Sequence, residues 1–179
     1  MMLEFIAYMK EKHGYAAKIL NLGGGMAVPY TKNDGSIDYT TNIRNIGVLI
    51  SETCRRLGLQ EPAIHMEPGR SIVADAGMTV YSVVSIKEIP GFKSFAAVDG
   101  GMTDNPRFAL YQAEYTVLPA NRMNDTADFL CTVAGCCCES GDLIQENVSL
   151  PEPKRGDLIA VLTTGAYNYS MASNYNRVP

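Results

Sequence analysis

The stretch "AAKILNLGGGMAVPY", residues 16–30, joins a short apolar run to three consecutive glycines. An apolar run of this length that meets glycine at once indicates a buried strand entering a tight loop. A second short run, "PAIHME" (62–67), is broken by a Pro-Gly pair. Between the two runs, residues 42–59 place apolar side chains at helical spacing and reach Gly58, a typical helix end. The pattern predicts a β-α-β unit of the kind found in parallel sheets.

The flanking sequence predicts a helix before this unit and a series of β-strands after it. Residues 3–12 have helical periodicity and are followed by Gly14, a plausible C-cap. Beyond residue 77 no long helix is indicated, and we expect two domains: a β/α segment at 1–77 and a mostly antiparallel β domain at 78–179. The predicted strands are β-branched or aromatic runs separated by Pro, Gly, Asn and Asp: "MTVYSVVSIKEI", "FKSFAAVD", "TADFLCTVAG" and "DLIAVLTTGAY". The segment "PEPKRGD" is predicted to be a loop between strands.

Composition narrows the classes of function. The 179 residues are 46% hydrophobic, which supports a folded core. A net charge of −4 without a basic run argues against nucleic acid and anionic membranes as partners, so a small molecule is expected. The start does not resemble a signal peptide, and no apolar run is long enough to span a bilayer. Five cysteines, three of them consecutive, do not form a disulfide framework, which favours the reducing cytoplasm.

Two turns that contain glycine are candidate anion-binding sites. Backbone N–H groups in the Gly23–Gly25 run can approach and bind an anion. The turn "EPGR" (67–70) leads into a possible short helix whose first amides would favour a phosphate. In βα barrels, the loops after the last two strands form such a phosphate site. The alternative interpretation is that both are merely tight turns.

The run Cys136–Cys138 admits several interpretations. Adjacent cysteines are poorly spaced to close around one metal ion, so we expect no metal site. A redox site, a single catalytic thiol with two bystanders, and small buried hydrophobic residues all remain compatible with the residues themselves.

Five motifs together resemble the diaminopimelate decarboxylases, pyridoxal-phosphate enzymes of the alanine racemase and ornithine decarboxylase fold type. They occur in the family's order along nearly the whole chain: "LNLGGGMAVPY", "HMEPGRSIVADAG", "VDGGMTDNPRFALY", "CESGD" and "TTGAYNYSMASNYN". The resemblance implies the last part of a βα (TIM-like) barrel, followed by an antiparallel β-barrel with Greek-key-like connections, truncated at both ends. It also implies conversion of meso-2,6-diaminopimelate to L-lysine and carbon dioxide, a step of lysine biosynthesis.

The resemblance implies that the family's cofactor-anchoring lysine is absent. That lysine lies on an early barrel strand, and "GYAAK" at 14–18 only imitates its motif, because Lys18 precedes the glycine run on what corresponds to the penultimate strand. We therefore expect a C-terminal fragment that is inactive alone. Two further alternatives are a decarboxylase of another basic amino acid and a non-catalytic oligomerisation or ligand-binding module; a thiol redox protein is a third.

The resemblance assigns the cofactor-binding residues to the first half of the chain. Glu67 corresponds to the carboxylate that pairs with the pyridine nitrogen of pyridoxal 5'-phosphate. Gly25, Pro68 and Gly69 correspond to the phosphate loops. Arg70 corresponds to an arginine at the phosphate and at a substrate carboxylate, where a planar guanidinium can make two hydrogen bonds. A solvated strand-end Glu and a surface salt bridge are the structural alternatives.

The substrate-binding residues come from the β domain. Arg107 and Tyr111 resemble the family's substrate-carboxylate arginine and its neighbouring tyrosine. The sequence departs from the family's Arg-Pro-Ala-Leu-Tyr pattern, since Pro106 precedes Arg107 and so changes the preferences of the loop. Tyr167 resembles a tyrosine that contacts both cofactor phosphate and substrate.

The resemblance implies a catalytic role for one of the three adjacent cysteines. Cys138 corresponds to the thiol that protonates the substrate after carbon dioxide leaves, and a thiol suits this because its unperturbed pKa is about 8.5. Cys136 and Cys137 are interpreted as bystanders. Glu139 corresponds to the carboxylate that faces the substrate's far ammonium group. Because the family's Cys-Glu pair reaches into the partner's active site, a homodimer is expected.

Overall fold

The computed structural model describes residues 1–178. Contacts divide the chain into two units, the first comprising residues 1–27 and 36–69, and the second comprising residues 28–35 and those from 70 onward. The sequence prediction put the division near residue 77. The difference arises because Ala74 packs with Val28 and Ala166 in a small core of the second unit.

The first unit is the predicted β-α-β unit with a preceding helix. The strands β1 (Ile19–Asn21) and β2 (Ala63–His65) pair in parallel, with Ile19 opposite Ala63. Asp38 caps the long helix by accepting a hydrogen bond from the Thr41 amide (2.9 Å). Both helices end at glycines in the left-handed conformation, as predicted, because glycine adopts it without steric cost. The elements are α1 Met2–His13, β1 Ile19–Asn21, α2 Tyr39–Leu57 and β2 Ala63–His65. Its small core consists of Leu3, Leu20, Ile50 and Cys54.

The second unit is built around one six-stranded sheet, ordered β5-β8-β3-β4-β6-β7. Four of the five strand pairs are antiparallel, as expected for a mostly antiparallel domain, but β4 and β6 run parallel, so the sheet is mixed. Their connection, residues 99–128, is long enough for the crossover that parallel strands require. The elements are α3 Arg70–Val73, β3 Met78–Ile89, β4 Lys93–Val98, α4 Arg107–Tyr111, β5 Val117–Pro119, β6 Phe129–Ala134, β7 Leu143–Leu150 and β8 Leu158–Leu162.

The two outer strands of this sheet approach each other. β5 and β7 are in contact, and just before β5 the Tyr115 amide donates to the Gln145 side chain (2.8 Å). The sheet is therefore nearly closed into a barrel. Its interior holds a hydrophobic core whose fully buried members include Val83, Val98, Val133, Ile144 and Val161. Within residues 1–178, no helix has the length and apolar character needed to cross a membrane.

Candidate active site

In the first unit, the parallel strands bring Asn21 and Glu67 together at their carboxyl ends. The Asn21 side-chain amide donates to Glu67 Oε1 (2.6 Å), and the Glu67 backbone amide donates to the Gly23 carbonyl (2.8 Å). A Cβ at Gly24 would collide with the Glu67 carbonyl oxygen, so this position needs glycine. The Glu67 carboxylate is thus exposed but held in place at the strand end.

The predicted phosphate-loop residues occupy the loops that follow these strands. Gly23 and Gly25 have φ values of +72° and +83°, which favour glycine. Pro68 and Gly69 follow β2 after two intervening residues and immediately precede Arg70, the first residue of α3. Both loops therefore leave the same edge of the two-stranded sheet, as predicted.

In the second unit, Arg70 lies against two tyrosine rings. Its Cζ is 5.3 Å from the Tyr167 ring centroid and 5.8 Å from that of Tyr30, within the range of cation–π attraction. Its Nη1 also donates a hydrogen bond to the Tyr30 hydroxyl. The chain segment bearing Tyr167 sits close to α3, because a Cβ at Gly165 would collide with the Val73 carbonyl oxygen.

Arg107 is buried at 7% exposure and is surrounded by aromatic groups. Its Nε donates to the Tyr115 hydroxyl (2.8 Å), and its Cζ is 5.5 Å from the ring centroid of Tyr111. Tyr111 itself is exposed. Burial raises the pKa of Tyr115, although the charge of Arg107 acts in the opposite direction. The phenol therefore stays neutral and remains a hydrogen-bond acceptor for the guanidinium.

Neither arginine is neutralised within the described part of the chain. None of the ion pairs formed among residues 1–178 includes Arg70 or Arg107. A buried or half-buried guanidinium without a carboxylate partner is a binding group for a ligand carboxylate or phosphate. The second unit therefore holds two arginines whose charge is not balanced by a carboxylate among residues 1–178.

The cysteine run forms a turn between β6 and β7 that is organised by Asp142. The carboxylate of Asp142, 2% exposed, accepts hydrogen bonds from the amides of Met102 (2.6 Å) and Cys137 (2.7 Å). A Cβ at Gly101 or Gly135 would collide with this carboxylate. Asp142 thus fixes the middle of the turn on which Cys138 is carried.

The three thiols of this turn differ in their surroundings. Cys136 and Cys138 are exposed, whereas Cys137 is half-buried, and all are free. Burial raises the pKa of the Cys137 thiol to about 11, and the nearby Asp142 carboxylate adds to the shift. Cys137 is therefore protonated and unreactive near neutral pH.

Glu139 is bound within the same turn. Its Oε1 accepts from the Gly141 amide (3.2 Å), and its Oε2 accepts from the Tyr175 hydroxyl (3.3 Å). The Glu139 carboxylate is the main reason why the pKa of Tyr175 is raised.

Some of the predicted site residues are in contact with one another in the structure, and Tyr30, which was not predicted, contacts both arginines. Arg70 with Tyr167, and Arg107 with Tyr111, form contacts that share the ring of Tyr30. The contacts described above for Cys138 and Glu139 are confined to their own turn and Tyr175. Sequence reasoning missed Tyr30, although it lies in the quoted glycine motif, since nothing local identifies its partners.

Comparison with known proteins identifies the family. The profile described as "Pyridoxal-dependent decarboxylase, C-terminal sheet domain" matches residues 8–165. The chain belongs to this family, which confirms the resemblance read from the motifs. Diaminopimelate decarboxylase of Bacillus subtilis (strain 168) is 49% identical over 170 residues, which cover 95% of this chain and 39% of that protein.

Solved structures agree with this assignment. The chain matches the crystal structure of diaminopimelate decarboxylase from M. jannaschi with a TM-score of 0.88 at 31% identity, covering 98% of this chain and 39% of that one. It also matches the Helicobacter pylori diaminopimelate decarboxylase complexed with L-lysine, with a TM-score of 0.80 at 34% identity, covering 98% and 41%. The chain thus spans about two fifths of the length of these relatives.

Proposed function

We propose that the chain forms the C-terminal part of a pyridoxal-phosphate-dependent decarboxylase that converts meso-2,6-diaminopimelate to L-lysine and carbon dioxide. In this proposal, the first unit is the end of the cofactor-binding βα barrel. The observation that carries the proposal is the pair of arginines without carboxylate partners, Arg70 and Arg107, on a chain that also presents the exposed Cys138. A dicarboxylic amino acid and a phosphorylated cofactor both need such anion-binding groups.

The residues present fit pyridoxal phosphate. Asn21 holds the exposed carboxylate of Glu67, which is suited to keep a pyridine nitrogen protonated, while Gly25, Pro68 and Gly69 supply loop backbone for the phosphate. Arg70 and Tyr167 offer a cation and a phenol, both suited to a phosphate group. When bound, the cofactor would accept the electron pair of the carbon–carbon bond that breaks as carbon dioxide departs.

The remaining residues would bind the substrate and return a proton to it. Arg107, with Tyr111 beside it, binds a substrate carboxylate, and Glu139 faces the distant ammonium group. Cys138 delivers a proton to the carbon from which carbon dioxide has departed, and Asp142 holds the turn that carries this thiol. Cys136 and Cys137 take no part in the chemistry.

The proposal includes a homodimer in the cytoplasm. Cys138 and Glu139 act in the active site of the partner subunit, which accounts for their exposure here and for the absence of contacts with Arg70 or Arg107 among those described. The free state of all five cysteines suits a reducing compartment.

The test is product formation by the complete protein that carries this chain. With pyridoxal phosphate and meso-diaminopimelate, we expect lysine and carbon dioxide, measured by amino-acid chromatography and gas release. L-lysine and L-ornithine as substrates should give no amine. Cadaverine or putrescine would indicate a decarboxylase of another basic amino acid. Cofactor binding without any product would favour the non-catalytic module. Tyr169→Phe, a substitution at a residue that is 95% exposed, is the control variant and should form the same products as the unsubstituted protein.

A further inference from the structure

Tyr30 is held in place along its backbone from two sides. Its amide donates to the carboxylate of Asp34 (2.8 Å), and its carbonyl accepts from both the amide (3.2 Å) and the hydroxyl (2.8 Å) of Thr116. Hydrogen bonds from the backbone amides of Thr31 and Tyr30 hold the pKa of Asp34 below its usual value, so this acceptor is charged at neutral pH. The ring of Tyr30 therefore projects from a fixed point.

The side chain of Tyr30 contacts both arginines of the second unit. Its hydroxyl accepts a hydrogen bond from Arg70, and the Cζ atoms of Arg70 and Arg107 each lie 5.8 Å from its ring centroid. The ring also meets Tyr115 edge-on, with centroids 5.4 Å apart and an angle of 90°. Tyr115 in turn accepts the Nε hydrogen bond of Arg107.

This arrangement addresses a physical difficulty of the site. Two positively charged guanidinium groups lie within 5.8 Å of one ring centroid, and each ends a long side chain with many rotamers. The electron-rich face of one aromatic ring attracts both cations, and a hydroxyl acceptor fixes the direction of one of them. A rigid two-torsion side chain therefore replaces the carboxylate that would otherwise order the arginines, and their charge stays available to a ligand.

We propose that Tyr30 is a positioning residue that sets the placement of Arg70 and Arg107. Its hydroxyl acts on Arg70 alone, and its ring acts on both arginines. The consequence for ligands rests on the proposed function, in which Arg70 binds the cofactor phosphate and Arg107 a substrate carboxylate. Tyr30 would then affect cofactor affinity through its hydroxyl and its ring, and substrate affinity through its ring.

The test separates these two contributions in the complete protein. Tyr30→Phe should raise the Kd of pyridoxal phosphate about tenfold, the usual effect of losing one hydrogen bond to a charged group, as followed by absorbance titration. Tyr30→Leu should weaken the cofactor at least as much. It should also raise the KM for diaminopimelate several-fold above that of Tyr30→Phe, with a smaller change in kcat. Tyr169→Phe is the control, and thermal unfolding checks that each variant is folded.

A double-substitution cycle shows whether the hydroxyl acts through Arg70. In an Arg70→Gln background, Tyr30→Phe should change the cofactor Kd by less than about twofold, because the partner is gone. An unchanged Kd for Tyr30→Phe alone would overturn the role, as would a full loss that persists in the Arg70→Gln background. If Tyr30→Leu does not fold, Tyr30→Phe and the cycle decide. A wild-type protein that binds no pyridoxal phosphate would overturn the proposed function itself.

Discussion

At the scale of single residues, the three adjacent cysteines have two kinds of environment. The turn between β6 and β7 buries part of Cys137 and anchors its amide on Asp142, while the thiols of Cys136 and Cys138 face solvent. Burial, and after it the Asp142 carboxylate, raise the pKa of the Cys137 thiol and so make it unreactive near neutral pH.

The raised pKa of Cys137 predicts a steep pH dependence of its alkylation. Because the thiolate is the reacting form and the pKa is about 11, roughly one thousandth of Cys137 is reactive at pH 8. Its labelling rate by N-ethylmaleimide should rise about tenfold per pH unit from 8 to 10. Peptide mass spectrometry measures the rate. A rate that levels off below pH 9 would contradict the assigned environment.

Replacing Cys138 should affect the chemical step. In the complete protein, Cys138→Ala should lower kcat for lysine formation by roughly 10²–10⁴, the contribution of a positioned general acid. Cys136→Ala, at an equally exposed neighbouring thiol, is the matched control and should leave kcat nearly unchanged. Equal losses in both variants, with cofactor binding intact, would refute the assignment of Cys138.

At the scale of elements, the sequence predicted what local patterns can encode. Strand β3 coincides with the predicted run, and both glycine C-caps were found, because β-branched runs and left-handed turns are local properties. Strand β7 was missed because "QEN" interrupts its apolar pattern, and Asn147 there has a positive φ. Strand β5 has three residues, too few for a pattern.

Pairing and long-range contacts could not be predicted from local sequence. The parallel alignment of β4 with β6 depends on a connection of many residues, and the sequence offered no sign of it. The site shows the same limit: motifs located Arg70 and Arg107, but Tyr30 is 40 residues before the arginine to which its hydroxyl is bonded. A resemblance transfers roles to matching residues and does not identify what holds them in place.

The sheet of the second unit should depend strongly on the interior of β7. Ile144 is fully buried in its core, so Ile144→Ala should lower the free energy of unfolding by about 2–5 kcal/mol. Leu130→Ala, on the adjacent β6 but 60% exposed, is the control and should cost far less. Chemical denaturation measures both. Equal costs would mean that the core is placed wrongly.

At the scale of the whole molecule, the residues with proposed roles are divided between the two units. The first presents Glu67 and the glycine loop, and the second presents the arginines and the cysteine turn. Large apolar side chains on the helices of the first unit are exposed, including Phe5 and Leu49. Such surfaces are typical of elements that pack against further structure. The proposed dimer adds the requirement that Cys138 serve another subunit.

The central claim is that the exposed Cys138 completes the active site of a partner subunit, and mixing two inactive variants tests it most directly. Cys138→Ala and Arg70→Gln subunits of the complete protein should each be nearly inactive as homodimers. In a mixed dimer, one site carries both defects and the other carries neither. Lysine formation should therefore reappear once mixed dimers are confirmed by differential tags and mass spectrometry. Confirmed mixed dimers that stay inactive, while wild-type subunits treated in the same way remain active, would contradict the account.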